Sequence, residues 1–456
     1  MKGIDLFCGA GGFGSGFEQF GMDVLYGIDV NEMALETFDR NHEGESIQHD
    51  ISEGVPEKLR GIDVNVVFGS PPCQGFSDAR GSRRLDDERN QLVFSFIQWV
   101  GELQPEYVMM ENVAGMTTIG EEFLDAVERE YRDVGYEVEW AKLNAANFGV
   151  PQTRERVIYF GVREDSPITP TLPNGDYTEN GDGQLSLSGR EMNGWRTVEQ
   201  AFEDLPEPTD EGTIELPPLS EYPDNDYLRD IRNGGRRTYN HIAETPADNA
   251  DTRAIIENLR PGEMYRSSRF GDRYRQVWDL LSDRFTETEQ DCLHFIARHR
   301  TRSAFKMGDK GVGAVPDSKI AHGLEHDDDT VYTALQDLLA DGWVRTDEDG
   351  DTLGYDLNTK SGIRPRYMRL NPDGQSNTIL TTDFKPRDKL HPTENRGLSL
   401  REGARIQSFP DEFEFVGSFG DIANQIGNAV PPLMAKALAE HIQTVDEEIN
   451  QRAVQK

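Results

Sequence analysis

The stretch GIDLFCGAGGFGSGF, residues 3–17, decides the fold. An apolar run passes through a glycine-rich turn into a helical pattern, and a second apolar run, DVLYGIDV, begins at residue 23. Short apolar runs that alternate with helical patterns indicate parallel βαβ units. The sequence therefore predicts an α/β protein with a doubly wound, mostly parallel, Rossmann-like sheet.

The same alternation continues to about residue 165, through VNVVFGS, NQLVFSFIQWVGEL, YVMMENV and FLDAVEREYRDVG. Right-handed crossovers place the carboxyl ends of parallel strands at one edge of a sheet. Five notable residues come directly after predicted strands, so we expect them to converge on one crevice: Gly9, Asp29, Asp50, Cys73 and Glu111.

The middle of the chain follows a different pattern. Residues from about 164 to 230 are rich in Pro, Gly and Asp, and order returns at 286–358 as helix, capped helix and hairpin. That order predicts a winged-helix-like part inside a second, smaller domain. Its second helix has no basic residue, so a packing or protein-contact role competes with reading of a DNA groove. The predicted division is 1–165, then 166–420, then a C-terminal helix over 421–456 that completes the first domain.

The charge balance is strongly acidic. The 456 residues include 83 Asp plus Glu against 47 Lys plus Arg, a net charge of −36, and only 11 of the basic residues are lysine. Such a surface is typical of a protein from a salty cytoplasm, where the Debye length at molar salt is roughly 3 Å. An acidic enzyme from an ordinary cytoplasm is the alternative.

Composition also limits the compartment and the cofactor class. The N-terminus lacks a signal-peptide pattern and no apolar run approaches the length of a membrane span, which predicts a cytoplasmic protein. Three scattered cysteines predict neither a disulfide framework nor a zinc cluster. The turn Gly9-Ala10-Gly11-Gly12 lacks the G-x-G-x-x-G spacing, which disfavours a nicotinamide dehydrogenase. Asp29 and Asp50 could bind a cofactor or cap helices.

The stretch GSPPCQGFS, residues 69–77, places Cys73 in a proline-stiffened loop after a strand. A free thiol has a pKa of about 8.5, so a nucleophilic cysteine needs local activation. Glu111 ends the apolar strand YVMM, where a partly desolvated carboxyl would be a general acid; a helix cap or an ion pair is the alternative. Arg154 and Arg156 are two apart, so they share a face of an extended segment.

Taken together, these motifs resemble those of the cytosine-5 DNA methyltransferases. DLFCGAGGFGSGF is similar to the family's cofactor loop, GSPPCQGFS to its nucleophile loop, ENV to its acid motif and QTRER to its arginine motif. TVEQAFEDLP, RYMRLNPDGQSNTILTT, HPTENRGLSLREGARIQSFPDEF and QIGNAVPP resemble the later segments in the family's order. The resemblance covers residues 3–165 and about 364–440.

The resemblance implies a mechanism. Cys73 would attack carbon 6 of a flipped cytosine, Glu111 would protonate or hydrogen-bond ring nitrogen 3, and Arg156, with Arg154 beside it, would hold the base carbonyl and a phosphate. S-adenosylmethionine would donate the methyl group, and no metal is needed. Its implied contacts are Phe7, Gly9, Gly11, Asp29, Asp50, Pro72 and Asn428. The loop over the base would include Gln74, Gly75 and Ser77.

The resemblance also implies partners. We expect a monomer that binds double-stranded DNA and does not contact a membrane. A cognate restriction endonuclease is a further candidate partner. Residues 166–420 would recognise the target sequence, which the motifs do not specify. Arginines cluster at 232–241, 265–275 and 297–306, as phosphate contacts or as partners of the abundant acids. An RNA cytosine methyltransferase and an inactive DNA-binding regulator are the alternatives. An exocyclic amino methyltransferase is disfavoured because cysteine follows the prolines.

Overall fold

The computed structural model describes residues 1–72, 91–118, 121–179, 181, 191–244, 250–265, 277–299, 314–349, 352–358, 367–385 and 388–454. The chain forms two compact units. The first comprises Met1–Ile242, Asp373–Thr382 and Ser399–Lys456, and the second comprises Ala243–Pro372 and Asp383–Leu398.

The first unit is built on a central sheet. Its strands are β1 (Lys2–Leu6), β2 (Asp23–Asp29), β3 (Glu45–Gln48), β4 (Val66–Gly69), β5 (Tyr107–Val113), β6 (Tyr136–Asn144) and β8 (Glu155–Arg163), with the two-residue strand β7 (Gln152–Thr153) outside it. The order is β3-β2-β1-β4-β5-β8-β6, and β8 alone runs opposite to the other strands. This confirms the predicted α/β class with a mostly parallel sheet. The strand order reverses between β1 and β4, which is where open sheets bind ligands.

Helices cover both faces of this sheet. The helices that follow the early strands are α1 (Gly12–Phe20), α2 (Glu32–Asn41), α3 (Gln91–Leu103) and α4 (Glu121–Asp133). Apolar residues of α3 and α4 join Ile4, Leu6 and Val67 in one buried cluster. On the other face Phe17 of α1 stacks on Phe68, with ring centroids 4.1 Å apart. Adjacent residues Val67 and Phe68 of β4 therefore face opposite layers, as a strand buried on both sides requires.

Short elements follow the sheet within the first unit. They are β9 (Tyr177–Thr178), β10 (Asn193–Gly194), α5 (Val198–Phe202), β11 (Ile214–Glu215), α6 (Asp226–Arg232) and β12 (Arg237–Thr238). Thr197 caps α5 in a reciprocal capping box with Gln200. Helix α5 therefore begins at Val198, one residue after the threonine of TVEQAFEDLP.

The second unit has its own core. Its elements are α7 (Ala250–Asn258), β13 (Met264–Tyr265), a 3₁₀ segment (Val277–Arg284), α8 (Glu287–His299), β14 (Val315–Pro316), α9 (Asp317–Gly323), α10 (Asp328–Ala340), β15 (Val344–Asp349), β16 (Thr352–Leu357) and β17 (Tyr367–Met368). Strands β14, β16 and β15 form an antiparallel sheet beside α8–α10. Asp327 caps α10 by accepting the Thr330 amide at 2.9 Å. Cys292 is buried in this core, as its apolar helix pattern predicts.

The C-terminal part returns to the first unit through β18 (Ser376–Asn377), α11 (Leu400–Ile406), α12 (Phe419–Asn428) and α13 (Pro432–Val454). The prediction of a single closing helix is wrong, because two helices flank a break at residues 429–431. Pro431 and Pro432 cause that break, since a residue before proline is driven out of the helical region. Helix α13 packs on α1 so closely that a Cβ on Gly16 would lie 2.5 Å from that of Ala435.

Three parts of the predicted recognition region belong to the first unit: 166–242, 373–382 and 399–420. The functional division at 165 and 420 stays a prediction. No helix among the described residues is long and apolar enough to cross a membrane.

Candidate active site

A cavity of about 1380 Å³ opens at the carboxyl edge of the sheet in the first unit. It lies at the reversal of strand order, where the turn after β1 faces the segment after β4. Predicted site residues from several elements share its lining: Phe7, Gly9, Asp29, Asp50, Pro72, Glu111, Arg154, Arg156 and Asn428. Cys73, Gln74, Gly75 and Ser77 lie outside the described residues. Of the other predicted residues, Gly11 alone is not part of the lining.

The turn after β1 shapes one wall of the cavity. Phe7, Gly9 and Gly11 have left-handed backbones with φ of 57°, 53° and 89°. The Gly9 amide donates to Oδ2 of Asp29 at 2.9 Å, and Oδ1 of Asp29 accepts from the Asn31 amide at the same distance. Asn31, not Asp29, caps α2. The helix-cap alternative is therefore wrong for Asp29, whose carboxylate ties the turn to β2.

Asp50 has a different local role. Its carboxylate accepts the amide and hydroxyl of Ser52 at 2.9 and 2.7 Å and caps the short 3₁₀ helix at 51–53. These hydrogen bonds from Ser52 lower the pKa of Asp50. The side chain is exposed at the cavity wall. Asp50 is therefore a helix cap, as the alternative predicted, and it also lines the cavity.

Glu111 and Arg156 form the charged part of the cavity. Antiparallel pairing places Arg156 of β8 opposite Val113 of β5, two residues from Glu111 and on the same face. Nε of Arg156 contacts Oε1 of Glu111 at 2.7 Å, with the two side chains 12% and 8% exposed. Burial raises the pKa of Glu111, although the charges of Arg156 and Arg154 act in the opposite direction. The carboxyl thus keeps its proton to a higher pH than an exposed glutamate.

Arg154 is bound differently although it is only two residues away. It is buried, and its guanidinium donates to the carbonyls of Ile379, Gly427 and Ala429 at 3.0–3.2 Å. Nε of Arg154 has no hydrogen-bond partner among the described residues. Burial is the main cause that lowers its pKa. Arg154 therefore holds the end of α12 and the 373–382 segment against the sheet, whereas Arg156 is the guanidinium beside Glu111.

Sequence reasoning gave no role to Asn112 and Gln152, which position parts of this site. The Asn112 amide donates to the carbonyl of Pro71 at 3.1 Å and so fixes the segment before Pro72. Gln152 is fully buried; it donates to Gln407 at 2.9 Å and accepts the Ile379 amide at 2.7 Å. Asn112 lies inside ENV and Gln152 inside QTRER, and these positions were the signal that could have identified them.

For two of the arginines at 232–241, the structure shows whether an acidic partner competes with the predicted phosphate contact. Arg232 is fully buried and donates to Asp204 at 2.9 Å, in a network that also includes Arg405 and Asp411. Phosphate contact is therefore wrong for Arg232, and pairing with an acid is correct. Arg236 pairs with Glu215 at 3.2 Å while both side chains stay exposed.

Comparison with known proteins identifies the family. The profile of the C-5 cytosine-specific DNA methylases matches residues 1–444. The chain belongs to this family. It is 34% identical to the type II methyltransferase M.AgeI of Thalassovita gelatinovora over 97% of this chain and 99% of that protein. It is 29% identical to the type II methyltransferase M.DdeI of Desulfomicrobium norvegicum over 99% of this chain and 90% of that protein.

A solved structure shares the fold. It is described as a DNA modification methyltransferase encoded within a prophage of E. coli, with a TM-score of 0.61 and 20% identity over 98% of this chain and 99% of that one. Family membership makes the protein a DNA (cytosine-5) methyltransferase and does not favour the RNA or inactive-regulator alternatives.

Proposed function

We propose that S-adenosylmethionine binds in the cavity of the first unit and that Cys73, Glu111 and Arg156 carry out methyl transfer to cytosine. The observation that carries this proposal is the Glu111–Arg156 contact in the same cavity as the glycine turn and Asp29. A buried carboxyl with a raised pKa, beside a guanidinium, suits a base whose ring nitrogen must gain a proton while its carbonyl is held.

The cavity wall fits the methyl donor. A Cβ on Gly9 would meet nothing within 4 Å, so this glycine leaves open space at the turn. Next to Asp29, the apolar residue Val30 lines the cavity and is 59% exposed, a surface suited to a purine ring. Phe7, Asp50, Pro72 and Asn428 complete the proposed contacts. When bound, S-adenosylmethionine supplies a methyl group activated by a positively charged sulfur.

The chain's own residues would activate the base. Sγ of Cys73 bonds to carbon 6 of the cytosine, and the electrons of the 5,6 double bond move into the ring toward carbon 5 and nitrogen 3. Glu111 gives a proton to nitrogen 3, which offsets the negative charge that the attack creates. Arg156 holds the base carbonyl. After carbon 5 is methylated, water takes the carbon 5 proton and nitrogen 3 returns its proton to Glu111. The electrons of these bonds restore the 5,6 double bond, and Cys73 leaves as the thiolate.

In this mechanism Asn112 would position the backbone of the segment that leads into Cys73. Its bond to the Pro71 carbonyl holds the two residues that lead into Cys73. Arg154 would stabilise the cavity wall rather than contact the base, because its guanidinium already donates to three carbonyls. Gly11, which does not line the cavity, would contribute through the left-handed backbone that shapes the turn.

We further propose double-stranded DNA as the substrate, with the target cytosine flipped out at a cost of a few kcal/mol. Gln74, Gly75 and Ser77 would lie in the loop over the base. The recognition region would be 166–420. Its 286–358 part supports a winged-helix-like assignment through the order α9, α10, β15, β16. The names of the relatives support a type II restriction-modification role. We propose in addition that the protein acts in the cytoplasm as a monomer, with a cognate restriction endonuclease as partner.

Methylation-sensitive sequencing of DNA from cells that express the protein tests this function. We expect 5-methylcytosine at one recurrent sequence, absent from cells that express Cys73→Ser. Methylation confined to RNA, or identical patterns with both proteins, would contradict the proposal.

The net charge of −36 supports an adaptation to high salt as a further part of the proposal. Six to ten phosphate contacts lose about 10³ to 10⁵ in affinity between 50 and 200 mM salt in an ordinary DNA-binding protein. An acidic protein can soften this loss, because cations gathered at its carboxylates are taken up as phosphate contacts release others. Salt also screens the repulsion between its own acids.

We therefore expect methyl transfer and melting temperature to rise together from low salt toward about 1 M potassium chloride, where the Debye length is near 3 Å. Initial rates and thermal unfolding across that range measure the effect. If both reach a maximum near roughly 0.1 M and decline above it, screening of the acidic surface is unnecessary and the adaptation is refuted.

A further inference from the structure

A buried histidine lies behind the glycine turn, on the side away from the cavity. His42 follows the last residue of α2, and its amide donates to the Phe38 carbonyl at 2.9 Å. Its ring stacks on Phe38 with centroids 4.2 Å apart. The side chain is fully buried, yet Nε2 has no hydrogen-bond partner among the described residues. Such an unpaired buried nitrogen costs free energy and calls for an explanation.

The ring of His42 packs against the turn itself. A Cβ on Gly11 would lie 2.7 Å from Cδ2 of His42 and 2.9 Å from Cδ2 of Phe38, far inside contact distance. A Cβ on Gly14 would lie 3.4 Å from Cε1 of the same ring. The imidazole thus touches the turn at Gly11 and the first turn of α1 at Gly14. Gly11 itself does not line the cavity.

Glu18 fixes the orientation of that ring. Its Oε2 lies 2.7 Å from Nδ1 of His42. Because a carboxylate accepts, Nδ1 carries the proton, and Nε2 is left facing Gly11. Asp5 supports the same helix start from the sheet, since its Oδ2 accepts the Gly14 amide at 3.1 Å. Two side chains therefore support the turn, one from β1 and one from the end of α2.

We infer that His42 is a positioning residue for the methyl donor: its ring, oriented by Glu18, holds Gly11 and the turn at 9–12 in the conformation that binds the cofactor. The inference rests on the proposed cofactor site. A turn that is already ordered loses little freedom on binding, whereas a loosened turn must be ordered by the ligand, which weakens affinity. Loss of His42 should therefore weaken cofactor binding and leave the rate of the chemical step at the base unchanged.

Calorimetric titration of the full chain with S-adenosylhomocysteine tests the inference. We expect His42→Ala to raise the Kd about tenfold and His42→Phe, which keeps a stacked ring beside Gly11, to raise it no more than roughly threefold. With S-adenosylmethionine as substrate, KM should follow the same order while kcat at saturation stays within about twofold of wild type. Leu35→Ala, at a buried position within α2 that does not line the cavity, controls for lost stability.

A second pair of variants keeps the test independent of folding at His42. Glu18 is 27% exposed, so its replacement leaves the core intact. Glu18→Gln retains an oxygen that accepts from Nδ1 and should bind like wild type, whereas Glu18→Ala should raise the Kd roughly threefold. Wild-type Kd values for His42→Ala and Glu18→Ala would overturn the inference, as would an equal rise in Leu35→Ala. Absence of binding by the wild type would instead refute the proposed cofactor site, and this inference with it.

Discussion

Replacement of Cys73 by serine is expected to reduce methyl transfer roughly 10⁴-fold or more while cofactor affinity stays near wild type. A thiolate attacks carbon 6 readily, whereas a serine hydroxyl is far less acidic and needs a base to activate it. Among the described residues that line the cavity, His49 is the only histidine. Nε2 of His49 donates to the Gly54 carbonyl at 2.8 Å. Single-turnover rates with labelled methyl donor, beside calorimetric cofactor binding, measure the two effects separately.

Cys292→Ser is the matched control. Cys292 is buried in the core of the second unit, where burial raises the pKa of its thiol to about 12. A thiol that holds its proton so firmly is no nucleophile, so this variant should lose stability but keep its turnover rate. Normal turnover by Cys73→Ser would rule out covalent catalysis through Cys73.

DNA with 5-fluorocytosine at the target provides a second readout. Fluorine occupies the place of the proton that must leave carbon 5, so the bond between Cys73 and carbon 6 cannot be released. We expect wild-type protein to remain attached to this DNA through denaturing electrophoresis, and Cys73→Ser to migrate freely. This outcome identifies the attacking atom without dependence on rate.

The elements of the fold were predictable because their signals are local. The apolar periodicity of α3 and α8, and the aspartate that caps α10, are complete within each segment. The break between α12 and α13 was also within reach, since two adjacent prolines mark it. The glycine turn, Asp29, Asp50 and Glu111 could be assigned to one crevice because parallel strands end at one edge of the sheet.

The roles of individual charged residues were less predictable, because their partners are distant in sequence. Arg154 and Arg156 look equivalent in QTRER, yet Arg154 is bound by carbonyls of residues 379, 427 and 429. Asp29 and Asp50 both follow strands, but a nearby serine makes only Asp50 a cap. Arg232 is neutralised by Asp204, 28 residues away. No local pattern records these pairings.

Glu111→Gln is expected to lower the rate of methyl transfer about 10²- to 10⁴-fold, the range for loss of a general acid, with target-DNA affinity within about threefold of wild type. Glutamine preserves the shape and can still donate a hydrogen bond, but it has no proton to transfer. Fluorescence anisotropy for DNA binding and single-turnover rates separate the two effects. Glu139→Gln, an exposed glutamate on β6 of the same sheet, is the charge-matched control and should change neither.

The pH dependence follows from the direction of the Glu111 shift. Because burial raises the pKa of Glu111 above that of an exposed carboxyl, the acid form persists as pH rises and is lost only when pH passes the raised value. Ionisation of Cys73 acts in the opposite direction, since thiolate increases with pH. The rate should therefore rise and then fall with pH, and the falling limb belongs to Glu111. In Glu111→Gln that limb should vanish while the rising limb remains. Persistence of the falling limb in the variant, or equal losses of rate and DNA affinity, would assign Glu111 a structural role through its contact with Arg156.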